Sequence, residues 1–236
     1  SAFDRATPTL GITELAARVG LHKSTAYRLA ATLAGEGFLR QDPDIGRYSL
    51  GESLYRVAAG FIEQDPLLRE GRPVLEALRR ACGHMVSLAV LDDEQALFVL
   101  VLEATLPVRA AAMRAGDRLS VSTSAAGKVL LADLPRNEAE AIVRRQGMPR
   151  LAPASLTSRE ALLQELIRVR REGIGWSREE AAVGLLALAA PVRHKNRVVA
   201  ALSVVCPTNL VDGRSLEALT REVRAAADAF SNRLEN

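Results

Sequence analysis

Apolar residues recur at helical spacing from residue 12 to residue 33. They then give way to two short alternating runs, a succession that predicts two crossing helices and a hairpin. Leu15, Val19, Leu21, Ala26 and Leu29 are the positions expected to face inward. Ala16 and Gly20 stand four apart. A small residue at 16 lets a second helix cross closely, and glycine at 20 permits the positive φ of a tight turn. Phe38-Leu39-Arg40 and Arg47-Tyr48-Ser49-Leu50 flank a Pro43-Asp44-Ile45-Gly46 turn, which reads as a hairpin wing. A plain helical hairpin would share the apolar spacing, but not the small residue, the glycine and the wing together.

The second helix of this winged helix-turn-helix opens with Lys23, Ser24 and Thr25 and carries Arg28 one turn on. No acidic residue follows before Glu36. Hydroxyls and the open amides of a helix start suit phosphate, and long cations suit phosphate or base edges. Lys23, Ser24, Thr25 and Arg28 are therefore the expected contacts to double-stranded DNA, with Arg40 and Arg47 on the wing touching the backbone.

Further along, Leu54, Val57, Ala58, Phe61 and Ile62 mark one face of a helix over 51–63. Asp65-Pro66 should end it, because a residue before proline avoids the α region. Helical spacing resumes over 67–81, where Pro73 should kink the helix or start a fresh one. From 84 the texture changes. Met85–Leu91 and Ala96–Leu102 predict a hairpin about Asp92-Asp93-Glu94, and Val108–Met113 a third strand. Helices are expected over 125–133, 137–147, 158–172 and 214–233, and strands over 187–192 and 198–205 about a His194-Lys195-Asn196 turn. Strands, helices, strands and a closing helix describe an α+β domain on an antiparallel sheet. The division expected is a DNA-binding domain over 1–50, linker helices over 51–81 and a second domain over 82–236.

Composition adds limits. The 236 residues, 48% of them hydrophobic, suffice for a sizeable core, and the net charge of +3 is only mildly basic. Residues 1–50 carry six cations (Arg5, Arg18, Lys23, Arg28, Arg40, Arg47) against five acids (Asp4, Glu14, Glu36, Asp42, Asp44), a net of +1. DNA binding is therefore argued from where the cations sit. Cys82 and Cys206 are far apart in apolar surroundings, without metal-ligand spacing, and read as free thiols of a reducing cytosol. No membrane-length apolar run or signal peptide is seen. Only a stub precedes Thr13, so residues upstream of Ser1 are expected. His22, His84 and His194 lack zinc spacing. Gly127-Lys128 is followed by Val129 and is no P-loop, and no nucleophile elbow or dinucleotide glycine pattern exists. These observations argue against an enzyme and imply no cofactor or metal.

The run Thr13-Glu-Leu-Ala-Ala-Arg-Val-Gly-Leu-His-Lys-Ser-Thr-Ala-Tyr-Arg-Leu, with Glu36-Gly-Phe-Leu and Arg47-Tyr-Ser-Leu-Gly, resembles the DNA-binding domain of IclR-type bacterial transcription regulators. The likeness continues in order through Pro73-Val-Leu-Glu-Ala-Leu, Thr123-Ser-Ala-Ala-Gly-Lys-Val-Leu-Leu-Ala, Arg170-Arg-Glu-Gly-Ile-Gly, Leu188-Ala-Ala-Pro-Val and Val199-Ala-Ala-Leu-Ser-Val. It implies a GAF-like effector-binding domain, a linker helix and a homodimer or tetramer on operator DNA.

It also implies a site for a small organic acid. The loop through Thr123 and Ser124 into Ala125, Ala126 and Gly127 is where such proteins offer backbone amides to an anion, and a helix start suits that role. An ordinary N-cap at Ser124 is the plainer reading of the same residues. The other implied positions are Glu179 or Glu180, Ala187, Ser203 and Val205. Cysteine is common in the family at the position of Ala187, and serine at that of Val205. Their absence favours a larger, partly apolar acid, with Met113 and Met85 as possible lining residues or simply core. The alternative function is a DNA-binding or partner-binding module whose second domain senses nothing.

Overall fold

The computed structural model describes residues 2–4, 6–105 and 113–235. The chain divides into two compact units, Ser1–Asp65 and Pro66–Asn236. The expected linker over 51–81 is thus shared, with its first helix in one unit and its second in the other. The strand expected over 108–113 lies outside the described residues, apart from Met113.

In the first unit, β1 (Thr9–Leu10) precedes α1 (Ile12–Arg18), α2 (Lys23–Gly35), β2 (Leu39–Gln41), β3 (Tyr48–Leu50) and α3 (Glu52–Gln64). The strands form an antiparallel sheet in the order β1-β3-β2. The turn between α1 and α2 is set by Gly20, at φ +67°. The Gly20 amide donates to the Ala17 carbonyl and the Leu21 amide to that of Ala16, which together satisfy the last carbonyls of α1. At the wing tip, the Asp42 carboxylate accepts from the amides of Asp44 and Ile45, an Asx turn that Gly46 completes at φ +66°. The unit's core is small: Leu10, Leu15, Ala30, Leu39 and Tyr48. Of the residues expected to face inward, Leu15 and Ala26 are buried, whereas Val19, Leu21 and Leu29 are exposed. Those three line an open apolar groove of about 350 Å³ together with Leu33, Leu50 and Leu54. Helical period identifies a face, but a unit this small has too few elements to cover every apolar face.

The second unit contains α4 (Pro66–Cys82), β4 (Met85–Asp92), β5 (Gln95–Leu102), β6 (Arg118–Leu119), α5 (Ala125–Asp133), α6 (Arg136–Gln146), α7 (Arg159–Glu172), β7 (Gly175–Arg178), β8 (Leu185–His194), β9 (Arg197–Pro207) and α8 (Gly213–Glu235). Its strands make one six-stranded sheet in the order β6-β5-β4-β9-β8-β7, with every pairing antiparallel. Asp93-Glu94 and Lys195-Asn196 turn the two hairpins with φ between +48° and +64°, as two-residue loops of this hand require. Helix α4 runs through Pro73 as one element, so the proline does not start a fresh helix. Pro73 is exposed, while Leu68, Gly71, Val74, Leu75 and Leu78 bury the opposite face, so tertiary packing offsets the lost hydrogen bond. At Gly71 a Cβ would fall 2.8 Å from Cζ of the buried Phe230, so α4 and α8 meet there without a side chain between them.

Alternation along the strands sends Leu188, Leu202, Val204 and Cys206 to one face, packed with α4 and α8. Burial pushes the Cys206 thiol up to about 11, and it stays a neutral core residue. The other face, with Ala89, Phe98, Ala189 and Ala201, packs against α5, α6 and α7. Helix α5 is buried from Ala125 through Ala132, so it shows no amphipathic stripe and is enclosed on every side. Strand β7 follows α7 directly, hidden in a run too short and glycine-rich for alternation to reveal.

Candidate functional site

On the first unit, α2 presents Lys23, Ser24, Thr25 and Arg28 on its exposed face, while Ala26 and Ala30 are buried. His22 caps α2 with no side-chain bond. Its Nδ1 pairs instead with Ser24 Oγ at 2.9 Å, leaving the first amides of the helix open. The two wing arginines differ. Arg40 is exposed, 3.5 Å from Glu52. Arg47 donates to the Glu14 carboxylate (2.9 Å) and to the Thr9 carbonyl (2.9 Å), and ties β1 to α1. Bonding to the Gly11 amide, followed by the nearby Arg47 cation, holds the Glu14 carboxyl below the usual range. Helix α3 is anchored at its start: the Gly51 amide donates to the Phe38 carbonyl and Ser53 Oγ to that of Glu36. Beyond Ser53 it buries nothing, and Val57, Phe61 and Ile62 are exposed.

The second unit contains a partly open cavity of about 400 Å³ between the sheet and the start of α5. Ser177, Ala187 and Val205 lie in register across β7, β8 and β9, and all three face it. Ser203, two residues before Val205, completes this polar and apolar floor. Opposite stands the α5 N-terminus: Ser124, Ala125 and Ala126. Ser124 Oγ accepts the Gly127 amide (3.1 Å) and donates to the Ser120 carbonyl (2.9 Å), so it is an N-cap. The cap leaves the amides of Ala125 and Ala126 without a partner among the described residues, at the positive end of the helix dipole. Phe98, Met113, Leu119, Ala181, Ala182 and Leu185 supply apolar wall, and Asp117 and Arg118 reach its edge.

The structure thus brings Met113, Ser124, Ala125, Ala126, Ala187, Ser203 and Val205 together. Thr123, Gly127, Glu179, Glu180 and Met85 do not line the cavity. Thr123 is buried, its carbonyl accepting from Ser177 Oγ at 2.7 Å, and its own hydroxyl is unpartnered among the described residues. Gly127 serves close packing, since a Cβ there would lie 2.4 Å from Val121 Cα. Met85 is buried in the row of Val205, beyond the cavity edge. Glu179, at φ +59°, turns the loop after β7, its amide donating to the Leu185 carbonyl.

Glu180 points away from the cavity, to Lys128. The Lys128 ammonium is fully buried and donates to both Glu180 oxygens at 2.6 Å and to the Trp176 carbonyl at 2.8 Å. Burial raises the Glu180 carboxyl above its ordinary value, and the Lys128 charge pulls against that. The Glu180 carbonyl in turn accepts Ser155 Oγ at 2.6 Å. The loop carrying Ala181 and Ala182, part of the cavity wall, is therefore held to the same helix whose start forms the polar end. The loop after Trp176 was expected at the site through Glu179 or Glu180, but Ser177, Ala181 and Ala182, which line the cavity, were not. Trp176-Ser-Arg beside Glu179-Glu180 was the available signal, but only strand pairing places Ser177 beside Ala187.

A helix-turn-helix with a wing, followed by an α/β domain with a cavity, is the architecture of a transcription regulator with an effector domain. The family description "IclR helix-turn-helix domain" matches residues 1–43, and "Bacterial transcriptional regulator IclR C-terminal" matches residues 59–232. The chain belongs to the IclR family of bacterial transcription regulators, which is not a family of enzymes. It is 33% identical over 233 residues to the HTH-type transcriptional regulator XynR of Escherichia coli, covering 98% of this chain and 92% of that one. A regulator from Alicyclobacillus acidocaldarius shares the fold with a TM-score of 0.88 at 26% identity, covering 98% and 93% of the two chains. An IclR homologue from Microbacterium hydrocarbonoxydans, solved in complex with 4-hydroxybenzoate, has a TM-score of 0.83 at 27% identity, covering 99% and 94%. No helix among the described residues is long and apolar enough to cross a membrane.

Removing Lys128 should strand a buried carboxylate. Lys128→Met is expected to lower unfolding free energy by about 3–5 kcal/mol near neutral pH. The deficit should shrink as pH falls into the carboxylate range, because protonated Glu180 no longer carries the uncompensated charge. Urea melts at pH 7.5 and 5 check this, and a deficit independent of pH would contradict it.

Proposed function

We propose that this chain is a ligand-responsive regulator. It binds operator DNA as a homodimer or tetramer through α2 and the wing, and an organic acid larger than three carbons in the second unit. It acts in the cytoplasm. The observation that carries this reading is the cavity: amides of Ala125 and Ala126 without a partner among the described residues at one end, mostly apolar wall elsewhere. A carboxylate suits the first and an apolar body the second. The homologue bound to 4-hydroxybenzoate supports an acid of about that size. The loss of polar side chains at 187 and 205 points the same way. The helices on either side of Asp65 carry the coupling, on a scale of about 1–3 kcal/mol.

Titration of short and aromatic carboxylates by calorimetry tests the effector reading. The wild type should prefer benzoate over acetate, and Ala187→Cys/Val205→Ser should shift preference toward the smaller acid. Binding confined to two- or three-carbon acids would refute the apolar pocket.

On the DNA side, Lys23, Ser24, Thr25 and Arg28 contact the duplex and Arg40 its backbone, while Arg47 contributes mainly by fixing the wing through Glu14. Arg28→Ala should weaken operator binding by roughly 1–3 kcal/mol, as loss of a base contact does. Arg40→Ala should weaken all sequences alike and flatten the salt dependence. Gel-shift titrations at several salt concentrations distinguish the two effects, and unchanged binding in both variants would exclude this surface.

The exposed row of Leu54, Val57, Phe61 and Ile62 is the proposed dimer seam, since one recognition helix covers only a few base pairs and two-fold pairing doubles the site. Sedimentation at micromolar concentration should show a dimer or tetramer. Phe61→Glu should dissociate it, and a wild-type monomer with or without DNA would rule the seam out.

A further inference from the structure

Ser203 faces the cavity, and directly beside it on the neighbouring strand, on the same face of the sheet, stands Ser87. The two are register partners across β4 and β9, both buried, with hydroxyl oxygens 2.7 Å apart. Distance alone does not say which one donates, but proton accounting does. Each hydroxyl has a single proton to give. Ser87 is fully buried, does not line the cavity, and has no other hydrogen-bond partner among the described residues. Its register partner on β5 is Val101, and Met85 and Ala89 flank it on the same face, none offering a side-chain oxygen. If Ser203 donated to Ser87, the Ser87 proton would be buried without an acceptor, and its lost hydration would go uncompensated. If Ser87 donates to Ser203, that cost vanishes and the Ser203 proton is left for the cavity.

The other lining serines are already committed. Ser124 donates to the Ser120 carbonyl and accepts from the Gly127 amide, and Ser177 donates to the Thr123 carbonyl. Ser203 is thus the lining serine that keeps a proton for a ligand. We infer that Ser87 fixes Ser203 as a hydrogen-bond donor, so that the cavity selects acids bearing a second, acceptor oxygen: an oxo, ether or further carboxyl group. The α5 amides also donate, so both polar ends of the cavity ask a ligand to accept. Ser87 is a positioning residue in this scheme, because it acts on the ligand only through Ser203. The inference rests on the cavity being the effector site.

The test is calorimetric titration of benzoate, 3- and 4-formylbenzoate and 3- and 4-aminobenzoate, the formyl group accepting where the amino group of similar size donates. Wild type should bind the formyl acid roughly three- to tenfold more tightly than the amino acid of the same substitution in at least one pair, the scale of one net hydrogen bond. In Ser87→Ala the Ser203 hydroxyl can turn to accept as well as donate, so the ratio should narrow to about twofold or less through tighter binding of the amino compound. A role in stability alone would weaken both ligands together and leave the ratio unchanged. Ser87→Cys, which keeps the shape of the side chain with a slightly larger atom and a weaker donor, provides the same comparison if the alanine variant folds poorly. Ser203→Ala should bring both compounds to the affinity of benzoate. A wild type that binds these acids but favours the amino compound, or a ratio that both Ser87 variants leave intact, overturns the inference and spares the effector site. A wild type that binds no acid overturns both.

Discussion

The second unit's site depends on one close approach of backbone to backbone. The first turn of α5 lies against Val121 and β7, and it can do so only because two residues lack a Cβ. At Gly127 that atom would fall 2.4 Å from Val121 Cα, and at Gly175 it would fall 2.7 Å from the Ala125 carbonyl. Distances under about 3 Å are not relieved by rotating a side chain when the partner is backbone. This seating brings the amides of Ala125 and Ala126 to the cavity and puts Ser124 in place to cap the helix. The same seating submerges Lys128, one turn further on.

A buried ammonium demands a partner, and Glu180 supplies it from a loop distant in sequence. Such a pair adds little net stability compared with an apolar equivalent, but it is unforgiving of rearrangement, because either charge alone in the interior is costly. The pair therefore holds the 179–182 loop in one position over the cavity. Glu180 illustrates how residue type and neighbourhood can mislead. A carboxylate in a loop beside a cavity looks like a ligand contact, yet its two oxygens face Lys128. The polar character of the cavity comes instead from the start of α5, from Ser177 and Ser203 and, at its edge, from Asp117 and Arg118.

The first unit shows the same separation between residues that hold and residues that reach out. Arg47 has its guanidinium engaged by Glu14 and Thr9 and stiffens the wing. Arg28, one turn into α2, is exposed, with no charged partner among the described residues. Both are arginines in a motif associated with nucleic acid, and only their surroundings distinguish them. The apolar groove of Val19, Leu21 and Leu29 and the bare face of α3 have no cover within this small unit.

The order of elements was legible in the sequence because it depends on short-range physics. Helical period marked α2, α3, α4 and α8. Asp-Glu and Lys-Asn marked the hairpin turns, and Gly20 marked the junction of α1 with α2. The serine before Ala125 announced its cap. Family likeness extended this to Ala187, Ser203 and Val205, which do line the cavity. Tertiary structure decided what local pattern does not contain: that α4 runs through Pro73 because its opposite face is buried, that Lys128 pairs with Glu180, and that a four-residue strand brings Ser177 beside Ala187. It also placed Ser87 beside Ser203, 116 residues away in the chain. Side-chain period tells which residues share a face of one strand. Which residue of another strand lies opposite is set by register, and register is a property of the whole packed sheet.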